Sequence, residues 1–135
     1  MQVKEVFESQ EELNQYLKWW QEKLFLTDWI IKAKICRNED FKSNDKKAGE
    51  NYFSTINRYS QISILEKEEY EQEKPIMKYC AEKILVHELL HLKFDTISTD
   101  QEEIVTHTLI EQMAKSLIMA KYDLSLDYFE NGEVG

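Results

Sequence analysis

Apolar residues recur every three or four positions at Leu13, Tyr16, Leu17, Trp20 and Leu24, behind Ser9 and Glu12 spaced as a helix-capping pair. Residues 10 to 25 are therefore expected to form an amphipathic helix. Thr27-Asp28 interrupts this period, and the stretch from Trp29 to Ile35 alternates after its first three residues, as a half-buried strand does. Residues 37 to 49 read as a polar connection. Asn51 to Ile56 and Gln61 to Leu65 then have strand character, and Asn57 to Ser60 between them predict an antiparallel hairpin. The acidic run Glu66 to Glu73 reads as a solvated lead-in to a second long helix.

That helix is expected over Pro75 to Phe94. Projected at about 100° per residue, its apolar side chains fall nearly all the way round. A narrow solvent stripe remains, carrying Lys78, Glu82 and Lys93. Asp95 to Thr99 should make a short turn, with Thr99 or Asp100 capping a last helix that runs to about Lys121. The apolar face of this last helix would hold Thr106, Leu109, Ile110, Met113, Ala114 and Leu117. In the tail, Leu124, Leu126, Tyr128 and Phe129 are enough to pack back on the body, and the last five residues should fray.

Three polar side chains interrupt the buried side of the second long helix: His87, Glu88 and His91, in the pattern H-E-x-x-H. Residues four apart on a helix are separated by about 40° and about 6 Å, so both imidazoles can reach one cation from the same side. Glu88 lies about 100° round the helix, where its carboxylate can take a proton from an attacking water and hand it to a leaving group. A surface helix carrying two chance histidines would place them on the charged stripe, and the pattern does not. Core histidines satisfied by hydrogen bonds are the other plain reading, which leaves the adjacent Glu88 to be explained, since glutamate is rarely buried unpaired.

A catalytic zinc takes three protein ligands and one open position, so a further ligand is required. A turn of about five residues forces the last two helices antiparallel, with facing residue numbers summing to roughly 194 or 195. His87 and His91 then lie level with residues 103 to 108. Glu103 and His107 both qualify, and Glu103, in the first turn, is the expected ligand, with His107 supporting it or another ligand by a hydrogen bond. Glu103 could instead simply complement the helix dipole. Glu102 points away, and Glu111 is expected to face Ile84 rather than the motif.

At 135 residues and 42% hydrophobic content the chain is expected to form a single domain, residues 1–135, with three Gly, one Pro and no linker or repeat to divide it. A net charge of -9 argues against a nucleic-acid platform, which needs Lys and Arg to replace counterions on phosphate. Only Lys42, Lys46 and Lys47 cluster, in a connection read as solvated surface. Two cysteines, Cys36 and Cys80, do not make a disulfide framework, and Cys80 reads as a small core residue two turns before His87. The first residues show no apolar run after a basic start, and no apolar stretch is long enough to span a bilayer, so a cytoplasmic protein without a membrane partner is expected.

The order helix, strand, hairpin, H-E-x-x-H helix and Glu-bearing helix resembles the minimal catalytic half of the zincin metallopeptidases. The closest likeness is to the gluzincins, and within them to small phage- and prophage-type metallopeptidases. The residues that carry the resemblance are Thr27-Asp28-Trp29-Ile30-Ile31-Lys32, Val86-His87-Glu88-Leu89-Leu90-His91-Leu92 and Glu102-Glu103-Ile104-Val105. It implies an α+β zincin-like domain with an N-terminal helix, a small three-stranded sheet, the motif helix and an antiparallel C-terminal helix. It further implies Zn2+ held by His87, His91 and Glu103, Glu88 as general base, and a peptide or protein substrate lying extended along the edge of the sheet. SprT-like proteases, which act on DNA-associated proteins and use a third histidine, are a related possibility through His107, although the basic patches of those proteins are missing here. No second domain walls a substrate cleft and no counterpart of an oxyanion-stabilising residue is evident, which leaves a non-catalytic zincin-fold binding module as the alternative.

Overall fold

The computed structural model describes residues 2–42, 47–94 and 103–131, with the side chains of Glu103 and Ile104 outside that description. Along the described chain run α1 (Gln10–Lys23), β1 (Ile30–Cys36), β2 (Gly49–Ser54), β3 (Tyr59–Leu65), α2 (Lys67–Gln72), α3 (Ala81–Phe94) and α4 (Glu103–Tyr122), with 3-10 turns at Asn38–Asp40 and Leu126–Phe129. The architecture is α+β, as the patterning predicts. The expected turn at Asp95 to Thr99, its cap at Thr99 or Asp100, Lys46 and the last four residues lie outside the described residues.

α1 starts where its cap dictates. The Ser9 hydroxyl accepts from the Glu12 N–H at 3.1 Å, while the Glu12 carboxylate reaches back to the Glu8 N–H at 2.9 Å. Its periodic residues Leu13, Tyr16, Leu17 and Trp20 are buried. β3 is the middle strand, parallel to β1 and antiparallel to β2, so that Ala33 and Asn51 both stand level with Ile62. The hairpin forms as expected, with β2 starting at Gly49. Ile62 and Ile64 point into the core, where α3 packs on the sheet. The acidic run folds into the short α2, which buries no residue.

α3 is the centre of the molecule, in contact with α1, α4, β2 and β3, which explains why it is apolar nearly all round. Two expectations about it fail. It begins at Ala81, not Pro75, because the backbone of residues 76 to 78 pairs with the tail: Lys78 N–H donates to the Phe129 carbonyl at 2.7 Å and Asn131 N–H to the Ile76 carbonyl at 3.1 Å. The first N–H groups of the helix, on Ala81 and Glu82, are satisfied by the carbonyls of Glu5 and Lys4, at 2.9 and 3.0 Å. Glu82 is also not on a solvent stripe. It is fully buried and accepts hydrogen bonds from the Trp20 indole, the Tyr122 hydroxyl, the Lys121 ammonium and the Lys4 N–H.

α4 lies antiparallel on α3 but is rotated from the expected face. Ile110, Ala114 and Ile118 are buried, while Leu109 and Met113 are exposed. This rotation points His107 and Glu111 at α3. In the tail, Phe129 is fully buried and Leu126 is exposed. Among the described residues no helix is long and apolar enough to cross a membrane.

Candidate metal centre

The antiparallel register of α3 and α4 places His87 across from His107 and Lys83 across from Glu111. His87 and His91, one turn apart, have ring centroids 5.2 Å apart, and the His107 ring lies 5.6 Å from His87 and 4.7 Å from His91. One ring nitrogen from each of the three lies within 4.8 Å of the other two. The histidines border a cleft of about 660 Å³ whose far wall is the start of β2.

Glu88 is buried on the side of α3 that faces β2. Gly49 permits this approach, because a Cβ there would stand 2.9 Å from Oε2 of Glu88. Asn51 ties the same strand to the motif: its Nδ2 donates to the Glu88 carbonyl at 2.7 Å, and its Oδ1 accepts from the Ser60 hydroxyl at 2.6 Å.

Behind the histidines is a charged chain. His87 Nδ1 is 2.8 Å from Oε1 of Glu111, and Lys83 donates from Nζ to Oε2 of Glu111 at 2.9 Å. Burial raises the Glu111 pKa, but the hydrogen bond from His87 and the charge and hydrogen bond of Lys83 outweigh it and hold the carboxyl down at about 2. The expectation that Glu111 faces Ile84 and not the motif is thus overturned. The rotation of α4 that buries Ile110 and Ala114 carries Glu111 towards His87. The antiparallel register was itself the available signal, since it puts Glu111 level with Lys83, one helical turn before His87.

His87, Glu88 and His91 are brought together as the motif predicts. His107, expected either as the alternative third ligand to Glu103 or as a supporting hydrogen-bond partner, joins the two motif histidines directly. Glu103 opens α4, but its side chain lies outside the described residues, so the expected third ligand is without a described position. Lys83, Asn51 and Gly49 were not anticipated. Cys80 is a buried free thiol just before α3, in the core as expected.

The donor set fits a divalent metal. A tetrahedral zinc with Zn–N bonds of about 2.1 Å keeps its nitrogens roughly 3.4 Å apart, within reach of three converging rings whose nitrogens already lie within 4.8 Å. Three imidazoles suit zinc, copper, iron or nickel, and the cleft leaves an open side. No family model, curated protein or solved structure matches the chain.

Proposed function

We propose that this protein is a zinc-dependent metallopeptidase, with His87, His91 and His107 holding the metal and Glu88 moving the proton. The observation that carries the reading is the convergence of three imidazoles from two helices beside a buried carboxylate, in a cleft bordered by a sheet edge. Bound zinc would supply Lewis acidity to a water and to the scissile carbonyl. Glu88 takes the proton of the attacking water and returns it to the leaving amine nitrogen, so that one carboxylate serves as base and then as acid.

A peptide substrate is favoured by the backbone of β2. Leu65 N–H bonds the Ala48 carbonyl at 2.8 Å, and in the alternating antiparallel ladder Gly49, Asn51 and Phe53 therefore turn their own N–H and C=O away from β3. Among the described residues no strand occupies that edge. An extended peptide can add to it and pass the histidines. Within the same reaction class, the third histidine favours an SprT-like arrangement over a gluzincin one, while the net charge of -9 argues against a DNA-bound setting.

Metal analysis of protein purified without added metal should find about one equivalent of zinc, as a single site of three protein ligands requires. Glu88→Gln should retain that zinc and lose at least about a hundredfold in peptide cleavage. A wild-type protein that holds zinc but cleaves nothing across a broad peptide library would make the chain a binding module.

A further inference from the structure

The Lys83–Glu111 pair lies one step outside the three histidines. On α3, Lys83 is one turn before His87, and both reach across to the same Glu111 of α4, each to a different oxygen. The Lys83 side chain is only 9% exposed, and an ammonium so enclosed persists only with a counter-charge. Lys115 is a second cation, 3.8 Å from Oε2 of Glu111. Both lysines approach Oε2, which leaves Oε1 for His87.

An ionised carboxylate can only accept hydrogen bonds. The proton in the His87–Glu111 contact therefore sits on Nδ1 of His87. In the neutral ring the lone pair is then confined to Nε2. A histidine without such a partner divides its proton between the two nitrogens, and the fraction protonated on Nε2 cannot ligate through that atom. Glu111 performs this task only if its carboxylate keeps one orientation. As a glutamate on a solvent-bordering helix it has three rotatable bonds, and besides His87 itself the described group that holds it across the helix interface is Lys83.

We infer that Lys83 is a positioning residue for the metal site, acting through Glu111 to hold His87 in the tautomer protonated on Nδ1. The inference rests on the metal-site reading for its purpose, but the tautomer is measurable without metal. In metal-free protein, long-range 15N–1H correlation spectra should show His87 protonated on Nδ1. Lys83→Met should shift the proton partly to Nε2 and weaken zinc binding about tenfold in chelator competition, the lower end of the effect of losing an outer partner of a ligand. Lys83→Arg should restore both. In a Glu111→Gln background Lys83→Met should change neither, because the intermediary has lost its charge.

Thermal melts of the metal-free variants separate these effects from loss of fold, and Lys83→Gln, which removes the charge but keeps a polar end, reads the same tautomer if Lys83→Met does not fold. A folded Lys83→Met or Lys83→Gln with wild-type tautomer and zinc affinity overturns the inference, as does an undiminished effect of Lys83→Met in the Glu111→Gln background. A wild-type protein with the Nδ1 tautomer but no affinity for zinc would instead defeat the metallopeptidase reading and leave the Lys83–Glu111–His87 coupling standing.

Discussion

Gly49 and Glu88 are so closely apposed that a single methyl group on the glycine would stand 2.9 Å from the glutamate Oε2 and 2.7 Å from Cγ2 of Ile84. The first residue of the edge strand thus sets where the Glu88 carboxylate can lie. The strand that would receive a peptide and the group that would act on it are one packed unit.

Gly49→Ala should therefore separate metal binding from turnover. The atoms nearest the added methyl group belong to Ile84 and Glu88 rather than to a histidine, so Glu88 should be displaced while zinc affinity stays near wild type. Cleavage should fall by up to about a hundredfold, as expected for an ångström-scale misplacement of a reacting group. Overpacking should also cost about 1–3 kcal/mol of stability. Chelator competition, peptide assays and denaturant titration check the three parts, and unchanged turnover would dissociate Glu88 from the chemistry.

Ranking the candidate ligands by alanine substitution should give large losses of zinc affinity for His87, His91 and His107. Glu103→Ala should cost far less if the three imidazoles complete the set. The reverse order of Glu103 and His107 would restore the gluzincin-like arrangement. Zinc binds the neutral ring, so affinity should fall as the solution is acidified and each imidazole gains a proton. Isothermal titration at several pH values measures this.

Breaking the Glu82 cluster should be among the most damaging changes to stability. Its carboxylate is fully buried, and Lys121, besides donating to it at 2.9 Å, stands 3.7 Å from the Trp19 ring centroid and 4.8 Å from that of Trp20. Glu82→Ala leaves this ammonium buried with aromatic faces but no counter-charge, and should cost about 3–5 kcal/mol. Urea unfolding followed by tryptophan fluorescence reads the loss directly. A cost under about 0.5 kcal/mol, ordinary for a surface site, would contradict the assignment.

Cys80 should be inert in the folded protein. Burial pushes its thiol up from an ordinary 9.0 to about 11, so at neutral pH it is protonated as well as enclosed, and a thiol reagent should modify it only on unfolding. The folded state holds this proton more tightly than the unfolded chain. Its contribution to stability is therefore full below pH 9.0 and lost as the pH rises to about 11. Rapid labelling of Cys80 at pH 7 under native conditions would be incompatible with the packing around it.

The chain by itself determined whatever depends on neighbours within a few residues. The His87, Glu88 and His91 constellation follows from helical geometry alone, the start of α1 from Ser9 and Glu12, and the β2–β3 hairpin from two short alternating runs. Even the pairing of α3 with α4 follows from the brevity of the segment between them. Tertiary structure decided what depends on rotation and on partners far along the chain. Glu82 looks solvent-facing on a helical projection, yet Trp20, Lys121 and Tyr122, from elements before and after it, close over it. Glu111 meets His87 because the packing of Ile110, Ala114 and Ile118 sets the roll of α4 about its axis, and periodicity within that helix does not distinguish one roll from another. Residues 75 to 80 are not helical because the chain ends supply hydrogen bonds there and at the start of α3, a competition between local propensity and long-range pairing that is resolved only once the whole domain is assembled.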